Sequence, residues 1–237
     1  GSGTTVMSYA GACGSDNVAG DNDDYFHVGS LVQMTAKTTQ GGNAYACADK
    51  VATGNHFPEL TIPQGGLFIP ISTPFELKGS ASDEDGDQLT YNWEQYDIGE
   101  EVALGTNSVS APLFRSYKPS ATGNIRFLPI LSNLVAGKFR EKAEVLPNKT
   151  RELNFRLTAR DNNILGGGVV SEEVKFNVTE QAGPFELTSP KLTTPFVSGE
   201  KVDVTWNVAN TDKAPVNCKF VNIYVSYNST LRDDDVN

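Results

Sequence analysis

The run Ser-Asp-Glu-Asp-Gly-Asp-Gln at residues 82–88 places Asp83, Asp85 and Asp87 at alternate positions. Carboxylates this close together are hard oxygen donors suited to Ca²⁺, and a divalent ion relieves their mutual repulsion. Asp161, in Ala-Arg-Asp-Asn-Asn at 159–163, is a candidate extra ligand. The spacing is not that of an EF-hand: counted from Asp83 the glycine comes fourth, and Gln88 stands where that loop needs its glycine. The other reading is a plain polar turn between strands, with Gly86 at positive φ. Histidines number two, His27 and His56, and no His-Glu-x-x-His occurs. Catalytic zinc takes three protein ligands and an open fourth position. The chain by itself is therefore expected to hold no catalytic zinc, and both histidines read as surface or packing residues. Of the three cysteines, Cys13 and Cys47 bracket a short segment and fit no C-x-x-C pattern. They are expected to form a disulfide in an extracellular protein, the alternative being three buried thiols. Cys218 has no partner left in either case.

Val-Met-Ser-Tyr-Ala-Gly at residues 6–11 is a second candidate. On general grounds a methionine in a tight turn fills core and a nearby tyrosine packs with its hydroxyl bonded. Met7-Ser8-Tyr9 also resembles the Met-turn of the metzincin zinc endopeptidases, in the Met-x-Tyr form of astacin-like and serralysin-like members. The likeness extends along most of the chain. SGTTVMSYAGACG, DDYFHVGSLVQM, SDEDGDQLTYNWEQYDIG, PLFRSYKPS, LNFRLTARDNN and GPFELTSP occur in the order of secreted, reprolysin-like bacterial metallopeptidases that carry Ig-like modules. The resemblance implies that Met7 supports the metal site from beneath and that the Tyr9 hydroxyl reaches the zinc or the developing oxyanion. In the whole enzyme it implies a zinc-activated water attacking a peptide carbonyl, an upstream glutamate as general base, and a protein or peptide substrate. This sequence departs from the family in lacking the zinc-binding helix, so the chain alone is expected to be inactive, with the N-terminal part of the catalytic domain missing from it. The acidic turn likewise resembles the D-x-D-G-D turns of cadherin-like and PKD-like modules, some of which hold calcium.

These residues need elements to position them. From Asp21 to Thr39 the pattern is helical, with Asn22, Asp23 and Asp24 offering oxygens to the first turn. Val28, Leu31, Val32 and Thr35 form one apolar stripe, and Gln-Gly-Gly-Asn at 40–43 ends it. Nothing else in residues 1–52 is large enough to cover that stripe; in the resemblance, the missing catalytic half does so. Downstream the period becomes two. Phe75, Leu77, Gly79 and Ala81 alternate with polar neighbours, as do Leu89, Tyr91, Trp93 and Gln95. So do Leu153, Phe155, Leu157 and Ala159, then Val174, Phe176 and Val178. Such runs predict an antiparallel β-sandwich with one wet face on each sheet. Residues 97–150 read as a long insertion packed onto it. A third block alternates at Val202, Val204, Trp206 and Val208 and at Val221, Ile223 and Val225.

The expected fold is thus mainly β, with Ig-like antiparallel β-sandwich modules preceded by a short helical remnant of a metzincin catalytic domain. Its parts are residues 1–52, a sandwich over 53–182, and a partial second module over 183–237. Both ends look cut. A formal charge of −10 and a pI near 4.7 argue against nucleic acid, and no apolar run is long enough to cross a membrane. Sequons at Asn148, Asn177 and Asn228 are short enough to arise by chance. Tyr91, Trp93, Tyr96, Phe114 and Tyr117 read either as a sugar- or peptide-binding surface or as core, and the parity of Tyr91 and Trp93 favours core for those two. The competing function is a non-catalytic extracellular binding or adhesion protein built of such modules.

Overall fold

A computed structural model describes residues 3–39, 41–47, 49–191 and 194–223. Gln40 of the expected helix stop, Val225 of the last alternating run and the Asn228 sequon lie outside them. Along the chain, 3₁₀ turns at Val6–Ser8 and Gly14–Asp16 precede α1 (Val28–Thr38). Then come β1 (Glu59–Thr61), β2 (Phe68–Pro70), β3 (Phe75–Lys78), β4 (Ser80–Ser82) and β5 (Thr90–Gln95). β6 (Ile125–Leu128), α2 (Leu131–Val135), β7 (Arg140–Glu141) and β8 (Glu144–Val145) lead to the long strands β9 (Arg151–Arg160) and β10 (Val169–Thr179). β11 (Glu186–Ser189) and β12 (Thr205–Asn207) close the described part.

The fold is mainly β, and its sheets are antiparallel apart from the β2–β10 edge, which is parallel. The main sheet runs β2-β10-β9-β5; the pairs β3-β6 and β1-β4 accompany it. Period-two patterning explains its inner face. Leu153, Phe155, Leu157 and Ala159 of β9 are fully buried. Phe155 pairs with Val174 and Leu153 with Phe176 on one side, while Leu157 pairs with Trp93 on the other. All these side chains therefore share one face. Leu77 of β3 and Leu128 of β6 pack against them, joined by Leu113, Phe114 and Leu146. Each such side chain contributes roughly 1.5–3 kcal/mol by leaving water. Gly79 is required here: a Cβ on it would lie 2.5 Å from Leu157 Cδ2 and 3.2 Å from the Trp93 ring.

Three expectations are corrected. Residues 97–150 are not simply an insertion, because β6 within them pairs with β3 and supplies fully buried Leu128. The outer face of the main sheet is not wet throughout: Asn92, Trp93, Glu94 and Gln95 are all buried, so β5 is covered on both sides. The third block forms one two-stranded sheet among the described residues, with Leu187 opposite Trp206, while Val221 and Ile223 lie outside any strand and are exposed. No helix among the described residues is long and apolar enough to cross a membrane.

Candidate metal centre and N-terminal turn

The acidic run forms the turn from β4 towards β5. Asp83 Oδ1 accepts the N–H groups of Asp85 (3.0 Å) and Asp87 (3.1 Å), and Gly86 takes φ 76°, as the turn chemistry anticipates. Asp161 follows the last residue of β9, and its loop brings it to this turn. Oxygens of Asp83, Asp87 and Asp161 lie within 4.8 Å of one another. Among the described residues no Lys or Arg ion pair involves any of the three. Two unit charges 4.8 Å apart repel by roughly 3.5 kcal/mol at an effective dielectric of 20, less where solvent screens the half-buried Asp83 and Asp87.

Asp161 is only 1 % exposed. Its carboxylate accepts the Gly168 N–H at 2.8 Å, the Asn163 N–H at 3.1 Å and the Asn55 side-chain N–H at 2.7 Å. Burial pushes the acid's pKa up, but these donors outweigh it and hold the group below the ordinary aspartate value. Gly167 and Gly168 permit the approach, since a Cβ on Gly168 would lie 2.7 Å from Asp161 Oδ2 and 2.3 Å from the Phe57 ring. Asn163 Nδ2 donates to Asp87 Oδ2 at 2.9 Å.

Asp85 does not join this group. It accepts the His56 backbone N–H at 2.6 Å and faces His56 Nδ1 at 3.0 Å. The His56 backbone bond comes first, then its ring, in lowering the Asp85 pKa; the Asp85 hydrogen bond and then the Glu84 charge raise that of His56. The three carboxylates brought together are thus Asp83, Asp87 and Asp161. Alternation along the turn could not reveal this, because the orientation of Asp85 is decided by a residue 29 positions away.

At the other candidate, Met7 lies in the 3₁₀ turn Val6–Ser8 and Tyr9 leaves it at φ 53°. The turn is fixed by Ser8 Oγ donating to the Thr5 carbonyl (2.6 Å), Val6 N–H to the Tyr25 carbonyl (3.1 Å) and Ala10 N–H to Asn22 Oδ1 (2.8 Å). Asn22 therefore braces the turn rather than capping α1. The cap is His27, whose Nδ1 accepts the Gly29 N–H at 3.1 Å, so the helix starts later than its acidic residues suggest. Val28 is fully buried, while Val32 and Met34 are exposed.

Glu94, wholly buried, ties this block to the sandwich. One oxygen accepts the Val28 N–H at 2.9 Å and the other accepts Ser116 Oγ–H at 2.6 Å; Tyr25 OH donates to Ser116 at 2.5 Å. Burial, the largest influence, pushes the Tyr25 phenol up to about 12, so it stays a donor. Sequence parity sets Glu94 opposite Trp93, on the face taken to be wet, and nothing in the local pattern marks it as a helix-capping anchor.

These residues do not fit a catalytic zinc. His27 caps α1 and lies 3.8 Å from Glu94, and His56 is held by Asp85. The one group of three His, Cys, Asp or Glu donors among the described residues is all carboxylate. The expected Cys13–Cys47 bridge is not formed: exposed Cys47 instead donates its Sγ–H to the Ala44 carbonyl in the turn after α1. Tyr91 and Trp93 face the core as their parity predicts, and Phe114 joins it, whereas Tyr117 stacks with Arg115 and Arg126 and Tyr96 with Arg156. No protein-family model and no curated protein matches the sequence.

Proposed function

We propose that the chain is the C-terminal portion of a secreted, zinc-dependent metalloendopeptidase of reprolysin-like kind. In this reading residues 1–52 are the closing part of the catalytic domain and the β-sandwich is an accessory module. The observation that carries it is the turn Val6–Ser8: Met7 is 59 % exposed and Tyr9 75 % exposed on a backbone anchored by buried Thr4 and Thr5. A methionine and a phenol held outward on a braced turn add nothing to this chain's own core. They suit a surface that another part of a catalytic domain covers. Exposed Val32 and Met34 on α1 support the reading in the same way.

In such a domain Met7 would support the metal site, and the Tyr9 hydroxyl would be the group that donates a hydrogen bond to the oxyanion of a peptide carbonyl under attack. Zinc ligands and the general base belong to residues outside this sequence. The substrate is a protein or peptide, met outside the cell. Tyr9→Phe in the native enzyme tests the assignment. It is expected to lower kcat by about 10²-fold with little change in KM, because the lost hydrogen bond acts mainly in the transition state. A native polypeptide that hydrolyses no peptide overturns the reading, and an active enzyme indifferent to Tyr9→Phe removes the role given to Tyr9.

A further inference from the structure

We propose that the cavity between the edge of β5 and β6 binds a carboxylate carried on a small apolar body, either the last residue of a peptide or a free organic acid. The cavity measures about 290 Å³, at the small end of the roughly 300–1,000 Å³ of ligand pockets. Ile125 and Phe127 of β6, with Ile130 and Leu131 where α2 begins, give it an apolar wall. Tyr91 and Ser120 exchange backbone hydrogen bonds at 2.8 and 3.0 Å, which holds the loop carrying Lys118 along the edge of β5. The charged residues in the lining are Lys118 and Arg126, and no Asp or Glu stands with them among the described residues. In a chain of formal charge −10, a lining of this sign favours an anion.

Two donors in the lining also lack acceptors. Asn92 Nδ2 and Arg126 Nε have no hydrogen-bond partner, in residues only 4 % and 8 % exposed. Both residues line the cavity. The amide of Asn92 can face only one way, because Arg160 Nη1 donates to it at 2.7 Å and only the oxygen accepts. Its nitrogen is thereby left over. Arg126 is held by the Trp93 and Arg115 carbonyls and by Glu144, none of which takes its Nε–H. Burial is the largest influence on this guanidinium and pushes its pKa down, so further negative charge beside it is favourable. A carboxylate has two oxygens that only accept, one for each orphaned donor, whereas a carboxamide offers one. Lys118 adds a cation, since its pair with Asp24 is exposed and holds it weakly.

The test is an NMR titration of the full chain, read at the Arg126 Nε–H and the Asn92 side-chain amide, with N-acetyl-L-phenylalanine, its carboxamide, and a tetrapeptide ending in free phenylalanine. The acid is expected to shift both signals saturably, with a Kd of about 1 mM or tighter. The carboxamide binds about tenfold more weakly or worse, because its hydrogen bonds are no longer charge-assisted. Asn92→Asp keeps the acceptor that Arg160 needs and replaces the free donor by a negative charge, so it weakens the acid about tenfold or more with the rest of the spectrum unchanged. A tetrapeptide that binds as tightly as the acid assigns the site to chain ends, and one that is excluded while the acid binds assigns it to free acids. Absence of a saturable shift with every ligand leaves water as the partner of both donors and overturns the site. Equal binding of acid and carboxamide overturns the choice of a carboxylate; so does a folded Asn92→Asp variant that binds the acid as the wild type does.

Discussion

Replacing Glu94 by Ala is expected to detach α1 and its preceding turn from the sandwich. The side chain is fully buried and accepts two hydrogen bonds, from the Val28 N–H at 2.9 Å and Ser116 Oγ–H at 2.6 Å. Val28 is the first residue of α1, so the first bond satisfies one of the donors that a helix start leaves open. Removing the carboxylate strands that N–H and the Ser116 hydroxyl, each at about 1–3 kcal/mol. It also removes a charge that favours the Arg160 guanidinium, whose burial pushes its pKa down while Glu94 holds it up. Breaking a buried charged arrangement from one side costs about 3–5 kcal/mol, and that range is the expected loss. For a chain of this length the melting temperature then falls by roughly 6–20 °C. Glu94→Gln keeps one acceptor and the shape, and costs about 1–2 kcal/mol. Urea denaturation measures both, and amide exchange across α1 shows where protection is lost. A Glu94→Ala loss below about 0.5 kcal/mol, or unchanged protection at Val28, refutes the claim that this carboxylate is the anchor.

Arg126 and Glu144 form a buried pair at 3.2 Å, with Arg126 also donating to the Trp93 carbonyl at 2.6 Å. Arg126→Ala is expected to cost about 3–5 kcal/mol in urea denaturation, and the double change Arg126→Met, Glu144→Leu distinctly less than twice that. Leu157→Ala, at the centre of the core, is expected to cost about 2–5 kcal/mol by the same method. Glu180 accepts the Thr150 N–H at 3.0 Å, and that bond, followed by the Thr150 side chain, lowers its pKa. A depressed folded-state pKa gives stability that is present above the unfolded glutamate value and lost as pH falls through the folded one. The stability gap between the wild type and Glu180→Gln should therefore close on acidification below about pH 4.3.

Much of the sandwich is legible in the sequence because a sheet buried on one face imposes a period of two, and β9 and β10 keep it. Leu153, Phe155 and Leu157, with Val174, Phe176 and Val178, all face inward. β6 is not legible: four residues between the Gly123 turn and Pro129 are too few to display a period, and their pairing with β3 is a long-range event. The start of α1 is misread for a different reason. Asn22 has an alternative use, bracing the Ala10 N–H, and side chains able to cap can equally stabilise a turn. At the acidic turn the alternating aspartates read as one group, but which carboxylates come together depends on partners far along the chain. His56 draws Asp85 away, while the end of β9 delivers Asp161. Glu94 is hidden because a charged residue alternating with core residues carries the signature of solvent exposure, and only the docking of residues 25–29 over β5 makes it buried.

The central claim, that this sequence belongs to a secreted zinc endopeptidase, is tested most directly by the zinc content of the native polypeptide. An antibody against the sandwich isolates it from the medium of the producing cells, and elemental analysis counts the metal. One zinc per polypeptide, removed by a chelator together with peptide hydrolysis, is the predicted result; an intact secreted polypeptide that holds no zinc contradicts the account.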